Sequence, residues 1–380
     1  MSVTKAVPPG AAFACDRIFP MRKHYIDNLR SLAILILIPY HAAMAWNTWG
    51  EPNYMMFGQS RILSSLIVFF SPFLMPLLFV LAGISTKYAL GKRTAGQYVL
   101  ERVKRLIIPL LFGTLAFMPV MAYLADRYNC RYEGTFFGHY KVFFTKFTDL
   151  TGADGGFSFG QFWFLLYLFV ISLICLGIIV IQKKLSSKAV PEMPLWLIVL
   201  TGLPIPLISG FLEVNGKSIV LYTYIFLIGY YVLSNDAAVE KISRFRFVFL
   251  ALGLCFDLLN IWLFLWSGTS YEVLNSVTND LTTWFMVLAL TGLGKAYLDK
   301  NGKLSSYLSA RSFAFFSLHY ICLVVMQYLM TGVFKSNTAV LYTVPVLTAY
   351  VLTLLTAEAF VRIPALSFLA GVKPLRRDRN

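Results

Sequence analysis

Residues 24–43 read HYIDNLRSLAILILIPYHAA. Arg30 and His41 are eleven residues apart, close to three turns at 3.6 residues per turn, so they share a helix face with His41 about 16 Å deeper. Asp27 precedes Arg30 by three and falls on the same stripe, where it can orient the guanidinium. The stretch between Arg30 and His41 carries no Asp, Glu, Lys or Arg, as a segment crossing hydrocarbon requires. The stripe therefore has a charged end and a buried imidazole. Such an arrangement suits a charged donor arriving at the Arg30 end and a proton transfer inside the membrane, because histidine is the side chain best matched to take a proton from a hydroxyl near neutral pH. The same spacing is satisfied by a structural histidine bonded to a neighbouring helix and an arginine that merely snorkels.

The rest of the chain fits the lipid setting of this stretch. Its 380 residues are 58% hydrophobic and only 13% charged, against about 25% charged in a soluble domain. The apolar residues are bunched into runs of the length that crosses about 30 Å of hydrocarbon as a helix. No alternating pattern indicates a barrel, so the expected fold is all-α, a polytopic transmembrane bundle of about ten spans. The net charge of +15 would point to nucleic acid in a soluble protein. Here it reads as topogenic and lipid-facing, with no nucleic-acid partner.

The expected spans are 30–47, 62–86, 104–125, 161–182, 194–211, 219–233, 247–266, 281–298, 307–330 and 339–361. The odd-numbered loops then hold only Arg61, Arg127, Arg131, Lys141, Lys146, Lys217 and Lys335 of the 33 basic residues. That bias puts both termini in the cytoplasm. Residues 1–24 read as a cytoplasmic tail, 25–361 as the membrane domain, and 126–160 as a long extracytoplasmic loop whose aromatic content favours a folded cap. Residues 362–380 read as a short interfacial helix ending in Lys373, Arg376, Arg377 and Arg379, an anchor on anionic lipid. The 194–211 span contains Pro204, Pro206 and Ser209 and is open to a bend or re-entry. The five cysteines imply no disulfide framework, and the four histidines lack metal-ligand spacing.

Other polar residues fall within or beside the spans. His319 lies mid-span in SLHYICL and reads as a second base, an oxyanion donor, a positioning group or a packing histidine. Asp257 and Asn260 share a span; the carboxyl is protonated, paired across helices, or part of a site. Arg102 and Arg105, three apart at the start of the third span, would offer a nucleotide phosphate two guanidinium forks, although positive-inside topology alone also accounts for basic residues there.

The Arg30–His41 pair in its setting resembles the signature of the acyltransferase-3 family of integral membrane acyltransferases. Further strings match in order: FVLAGISTKYAL at 79–90, ERVKRLIIPL at 101–110, and FWFLLYL at 162–168, whose Trp163 is a candidate site-lining residue. EAFVRIPALSFLAGVKP at 358–374 and SLHYICLVV at 317–325 are similar to the glucan biosynthesis protein C branch, whose members succinylate periplasmic glucans. Ala82 stands where the family commonly has Ser, and Leu74 where that branch has a basic residue.

The resemblance implies a multi-pass protein of the inner (cytoplasmic) membrane that moves an acetyl or succinyl type group from acyl-CoA to a carbohydrate hydroxyl. Acyl-CoA is then a donor substrate and no bound cofactor is implied; membrane lipids are the remaining partner. It further implies His41 as general base or acyl-accepting residue and Arg30 as its partner near the donor. Asp27, Arg102 and Arg105 would be donor ligands. Two alternatives stand beside this one: a transporter of a glycan or small solute with His41 and Asp257 on a proton path, and a membrane scaffold.

Overall fold

The computed structural model describes residues 23–185, 192–332 and 337–372. It is an all-α, polytopic bundle in which α1 (His24–Ala43) leads directly into a short 3-10 turn, and α2 (Arg61–Leu90) follows. The third span is continuous from Ala95 to Asn129: α3 (Ala95–Arg102), a π-helical turn over Val103–Ile107, α4 (Ile108–Ala116) and α5 (Met118–Asn129). The π turn abuts Pro109, which lacks the N–H that a regular ladder would need there. Next come α6 (Phe136–Thr145), α7 (Trp163–Leu185), α8 (Leu195–Leu200) and α9 (Ile205–Ile208). A two-stranded antiparallel hairpin, β1 (Glu213–Val214) and β2 (Lys217–Ser218), precedes α10 (Ile219–Tyr231). The chain finishes with α11 (Asp236–Arg244), α12 (Arg246–Ile261), α13 (Glu272–Tyr297), α14 (Lys303–Thr331), α15 (Thr338–Arg362) and α16 (Pro364–Leu369).

Each of the ten expected segments is helical, but among the described residues only seven helices are long and apolar enough to cross a membrane unaided, or eight with one bent pair. The 194–211 segment breaks into α8 and α9 around Pro204, since proline can neither donate to a helix nor sit inside one without a clash. α10 bends by 103° into α11. α13 is long, but its first half carries Asn275, Thr278, Asn279, Asp280, Thr282 and Thr283, and most of these face other helices. The first span begins at His24, so Asp27 and Arg30 sit inside α1. α15 runs on to Arg362, and α16 turns back so that Gly371 packs against Pro109. The basic residues 373–379 lie outside the described residues, as do Cys15 and the tail before residue 23.

α1 packs against α2, α13, α14 and α15. Prolines inside these spans each free a carbonyl one turn earlier, which lipid cannot satisfy. At two of these prolines the partner comes from a neighbouring helix. Pro39 of α1 frees the Leu35 carbonyl, and the Tyr350 hydroxyl of α15 donates to it at 2.7 Å. Pro76 of α2 frees the Pro72 carbonyl, and Thr283 of α13 donates to it at 2.6 Å. These bonds fix α1 and α2 against the bundle. α2 and α10 cross so closely that a Cβ on Gly83 would come within 2.1 Å of the Phe226 oxygen, and one on Gly229 within 2.4 Å of the Val80 oxygen.

The long 126–160 segment is folded. α5 extends through its start to Asn129, and α6 then packs its buried Phe143 against Phe144 and Phe157. His139 is wholly buried and its Nε2 lies 3.1 Å from Asp126 Oδ2. Gly155, at φ +81°, crosses this pair so tightly that a Cβ would sit 2.6 Å from both the carboxylate oxygen and the imidazole nitrogen.

Candidate active site

Two polar centres lie at opposite ends of α1. At the first, Arg30 donates to Asp27 Oδ1 at 3.1 Å and to Ser85 Oγ at 3.0 Å. Arg102 donates to Thr86 Oγ1 at 3.0 Å, and its guanidinium lies 4.7 Å from the Tyr98 ring centroid. Ser85 and Thr86 are consecutive on α2, so two guanidinium groups converge on one point of that helix. Arg105 is exposed and pairs instead with Glu101 at 3.3 Å, which Arg93 also holds at 2.9 Å. The structure thus brings Asp27, Arg30 and Arg102 together and leaves Arg105 on the rim. Thr94, capping α3, and the π turn after it aim this segment at α2.

At the other end, His41 is half-buried beside a cavity of about 470 Å³. From α1 the cavity is lined by Leu37, Tyr40, His41 and Met44. Its outer wall comes from three separate connections: Glu51–Tyr54, residues 149–161, and the β hairpin with Lys217. These are three of the five odd-numbered loops, which together hold only seven of the 33 basic residues, so one face of the bundle assembles over His41. Trp163, Tyr167 and Tyr54 line it with the carboxylates of Glu51 and Asp149 and the ammonium of Lys217, which lies 5.0 Å from the Trp163 ring centroid.

The His41 ring stacks on Tyr320, with centroids 4.1 Å apart and planes at 17°. Tyr40 meets it edge-on at 5.3 Å, and His319 lies 5.4 Å away. Among the described residues the imidazole has these ring contacts and no hydrogen bond, which leaves its nitrogens for whatever fills the cavity. His319 is wholly buried, and its Nδ1 is 2.7 Å from the Phe316 carbonyl. A carbonyl only accepts, so Nδ1 carries the proton and Nε2 presents a lone pair. That Nε2 has no partner among the described residues. A neutral His319 therefore cannot be an oxyanion donor through Nε2.

Asp257 and Asn260 do not line this cavity. Asp257 is wholly buried on α12 with neither carboxyl oxygen hydrogen-bonded among the described residues, and Asn260 accepts from Asn275 at 2.7 Å. Several lining groups carried no sequence signal: Tyr320, Asn53, Tyr54, Glu51 and Lys217. Only Tyr320 stood beside a singled-out residue. Neighbours in a helix point about 100° apart, so adjacency to His319 does not predict a stack on His41.

In the cap, the buried His139 imidazole is held below its ordinary value of 6.5; desolvation is the larger effect and the Asp126 carboxylate opposes it. For Asp154, burial pushes the carboxyl up but is outweighed by hydrogen bonds from Lys146 and the Gly156 N–H, which leave it below the usual carboxylate range.

The sequence profile of an acyltransferase domain family matches residues 23–360, almost the whole chain and every residue named in both centres. Searches of curated proteins and of solved structures returned no match.

Proposed function

The chain belongs to the acyltransferase-3 family, and from that premise we propose that it is an O-acyltransferase with acyl-CoA as donor and a carbohydrate hydroxyl as acceptor. The observation that carries this reading is the His41 imidazole, free of hydrogen-bond partners among the described residues and set in a cavity walled by tyrosine, tryptophan and a few charged groups. Flat aromatic surfaces with sparse polar groups suit a sugar, which offers apolar C–H faces and hydroxyl edges.

In the proposed reaction the acceptor hydroxyl sits at His41, which takes its proton as the oxygen attacks the thioester carbonyl. The tetrahedral intermediate then collapses, the C–S bond breaks, and the proton passes from His41 to the departing thiolate. An ester and free CoA result. Arg30 and Arg102, anchored on Ser85 and Thr86, hold donor phosphates at the far end of α1. His319 packs beside His41, with ring centroids 5.4 Å apart.

Donor and acceptor approach from opposite faces, which fits an enzyme of the inner membrane that draws its donor from the cytosol. The string at 358–374 supports a glucan-type acceptor and a succinyl or acetyl group. Leu74, which replaces a basic residue of the glucan branch, lines the His41 cavity, so that departure bears on substrate choice. Family membership replaces the transporter and scaffold alternatives. The test is mass analysis of cell-surface glycans from a deletion strain carrying either the parent gene or His41→Ala. An acyl mass restored by the parent alone supports the reading; restoration by both removes His41 from the chemistry.

A further inference from the structure

Tyr320 makes two contacts that no reaction step has used. Its ring lies flat on His41, and its hydroxyl donates to Asn53 Oδ1 at 2.7 Å. Tyr320 and Asn53 are both buried, and the same Oδ1 accepts the Tyr54 backbone N–H at 2.9 Å. The Tyr54 ring meets Tyr320 edge-on at 5.3 Å, while His319 lies nearly parallel to it. Tyr320 is therefore held at its hydroxyl, on its edge and by its own helix. His41 has no hydrogen bond among the described residues and takes its orientation from ring contacts.

Asn53 is in turn joined to the cap. Asn129, at the end of α5, donates from its amide to the carbonyls of Asn53 at 3.1 Å, Tyr54 at 3.2 Å and Ala153 at 2.8 Å. One amide thus ties the Gly-rich cap loop to the segment that holds the Tyr320 hydroxyl. The chain of contacts runs cap, Asn129, Asn53, Tyr320, His41.

We propose that Tyr320 is the positioning residue of His41 and that Asn53 is the joint through which the folded cap sets the imidazole plane. The inference rests on the reading of His41 as the base. Stacking fixes the tilt of the ring but not its rotation about the stacking axis. The hydroxyl anchor fixes Tyr320 itself, so the ring beneath it has one seat. Proton transfer is steep in geometry, and a shift of about 1 Å can cost on the order of 100-fold in rate.

The experiment is a double-mutant analysis of acyl transfer in membranes, with kcat and KM measured for donor and acceptor. Tyr320→Phe keeps the stack and the volume but removes the anchor. It should lower kcat roughly 10-fold, with both KM values within about twofold, because only alignment is lost. Asn53→Ala should do the same, and the double variant should be no worse than either single one, since both break one bond. In a His41→Ala background Tyr320→Phe should have no further effect on residual turnover. Full additivity of Tyr320→Phe and Asn53→Ala overturns the proposal, as does an unchanged kcat in Tyr320→Phe. Full activity in His41→Ala alone would instead overturn the reading of His41 as base, a separate and recognisable failure. Melting temperatures of the detergent-solubilised variants, matched to the parent, separate misalignment from unfolding.

Discussion

Arg30 and His41 stand three helical turns apart on one face of α1, and the cavity that reaches His41 is lined on that helix only from Leu37 onward, away from Arg30. On the proposed reading, the two ends of a single helix serve two approaches. Charge gathers at one end, on Ser85 and Thr86 of α2; aromatic rings gather at the other. This division makes donor and acceptor effects separable.

Replacing Arg102 by Ala should raise the apparent KM for acyl-CoA about 10-fold, worth roughly 1.4 kcal/mol, and leave the acceptor KM unchanged. Arg105→Ala should have a smaller effect, because Arg105 is exposed and already pairs with Glu101. Steady-state kinetics with both substrates varied measures the two constants independently.

Trp163→Ala should act in the opposite sense, weakening the acceptor by about 1–3 kcal/mol, the scale of a lost aromatic platform, while the donor KM stays put. Trp163 lines the His41 cavity, whereas Asp27, Arg30 and Arg102 do not. Equal loss for both substrates in this variant would contradict the assignment of the cavity to the acceptor.

The cap should loosen in acid. The folded-state pKa of His139 lies below its ordinary value of 6.5, so the unfolded cap binds the proton more readily and stability rises with pH. The stabilisation is complete above about 6.5 and is lost as pH falls through that value toward the lower folded one. Hydrogen-exchange protection across residues 136–157, taken relative to the intrinsic exchange rate at each pH, should fall in that window. His139→Gln, which cannot titrate, should remove that fall in protection.

Glu358→Gln should destabilise the α14–α15 pair by about 1.5–3 kcal/mol, the scale of a hydrogen bond to a charged group. Glu358 receives Arg311 Nε at 2.5 Å and Nη2 at 3.1 Å, and the Arg311 side chain is only 10% exposed. α14 also carries His319 and Tyr320, so activity should fall with stability. A double variant, Arg311→Met with Glu358→Leu, should recover much of the melting temperature.

Gly83→Ala should disrupt the α2–α10 crossing, because its Cβ would fall 2.1 Å from the Phe226 oxygen. A loss of about 1–3 kcal/mol is expected for such overpacking, read as a lower melting temperature of the solubilised protein. Gly177→Ala serves as the control, since nothing lies within 4 Å of the added atom.

Much of this protein was legible in one dimension because lipid imposes strong local rules. Apolar runs, basic loops and an eleven-residue spacing depend only on positions along the chain, so the helical class and the Arg30–His41 stripe of α1 could be read directly. The family strings added the enzyme class. Which segments cross unaided was less legible, because Pro204 breaks one, α10 bends, and α13 buries its polar half against neighbours.

Packing alone decided the rest. Nothing in the order of residues says that Tyr320 lies under His41, that Tyr350 satisfies the carbonyl freed by Pro39, or that Arg105 turns to Glu101 while Arg102 turns to α2. Nor does it say that Asp257 lies outside the lining of the His41 cavity. These contacts join residues far apart in sequence, and each depends on how helices rotate about their axes once they meet. Hydropathy determines that a segment enters the membrane; only side-chain interlock determines which face it turns inward.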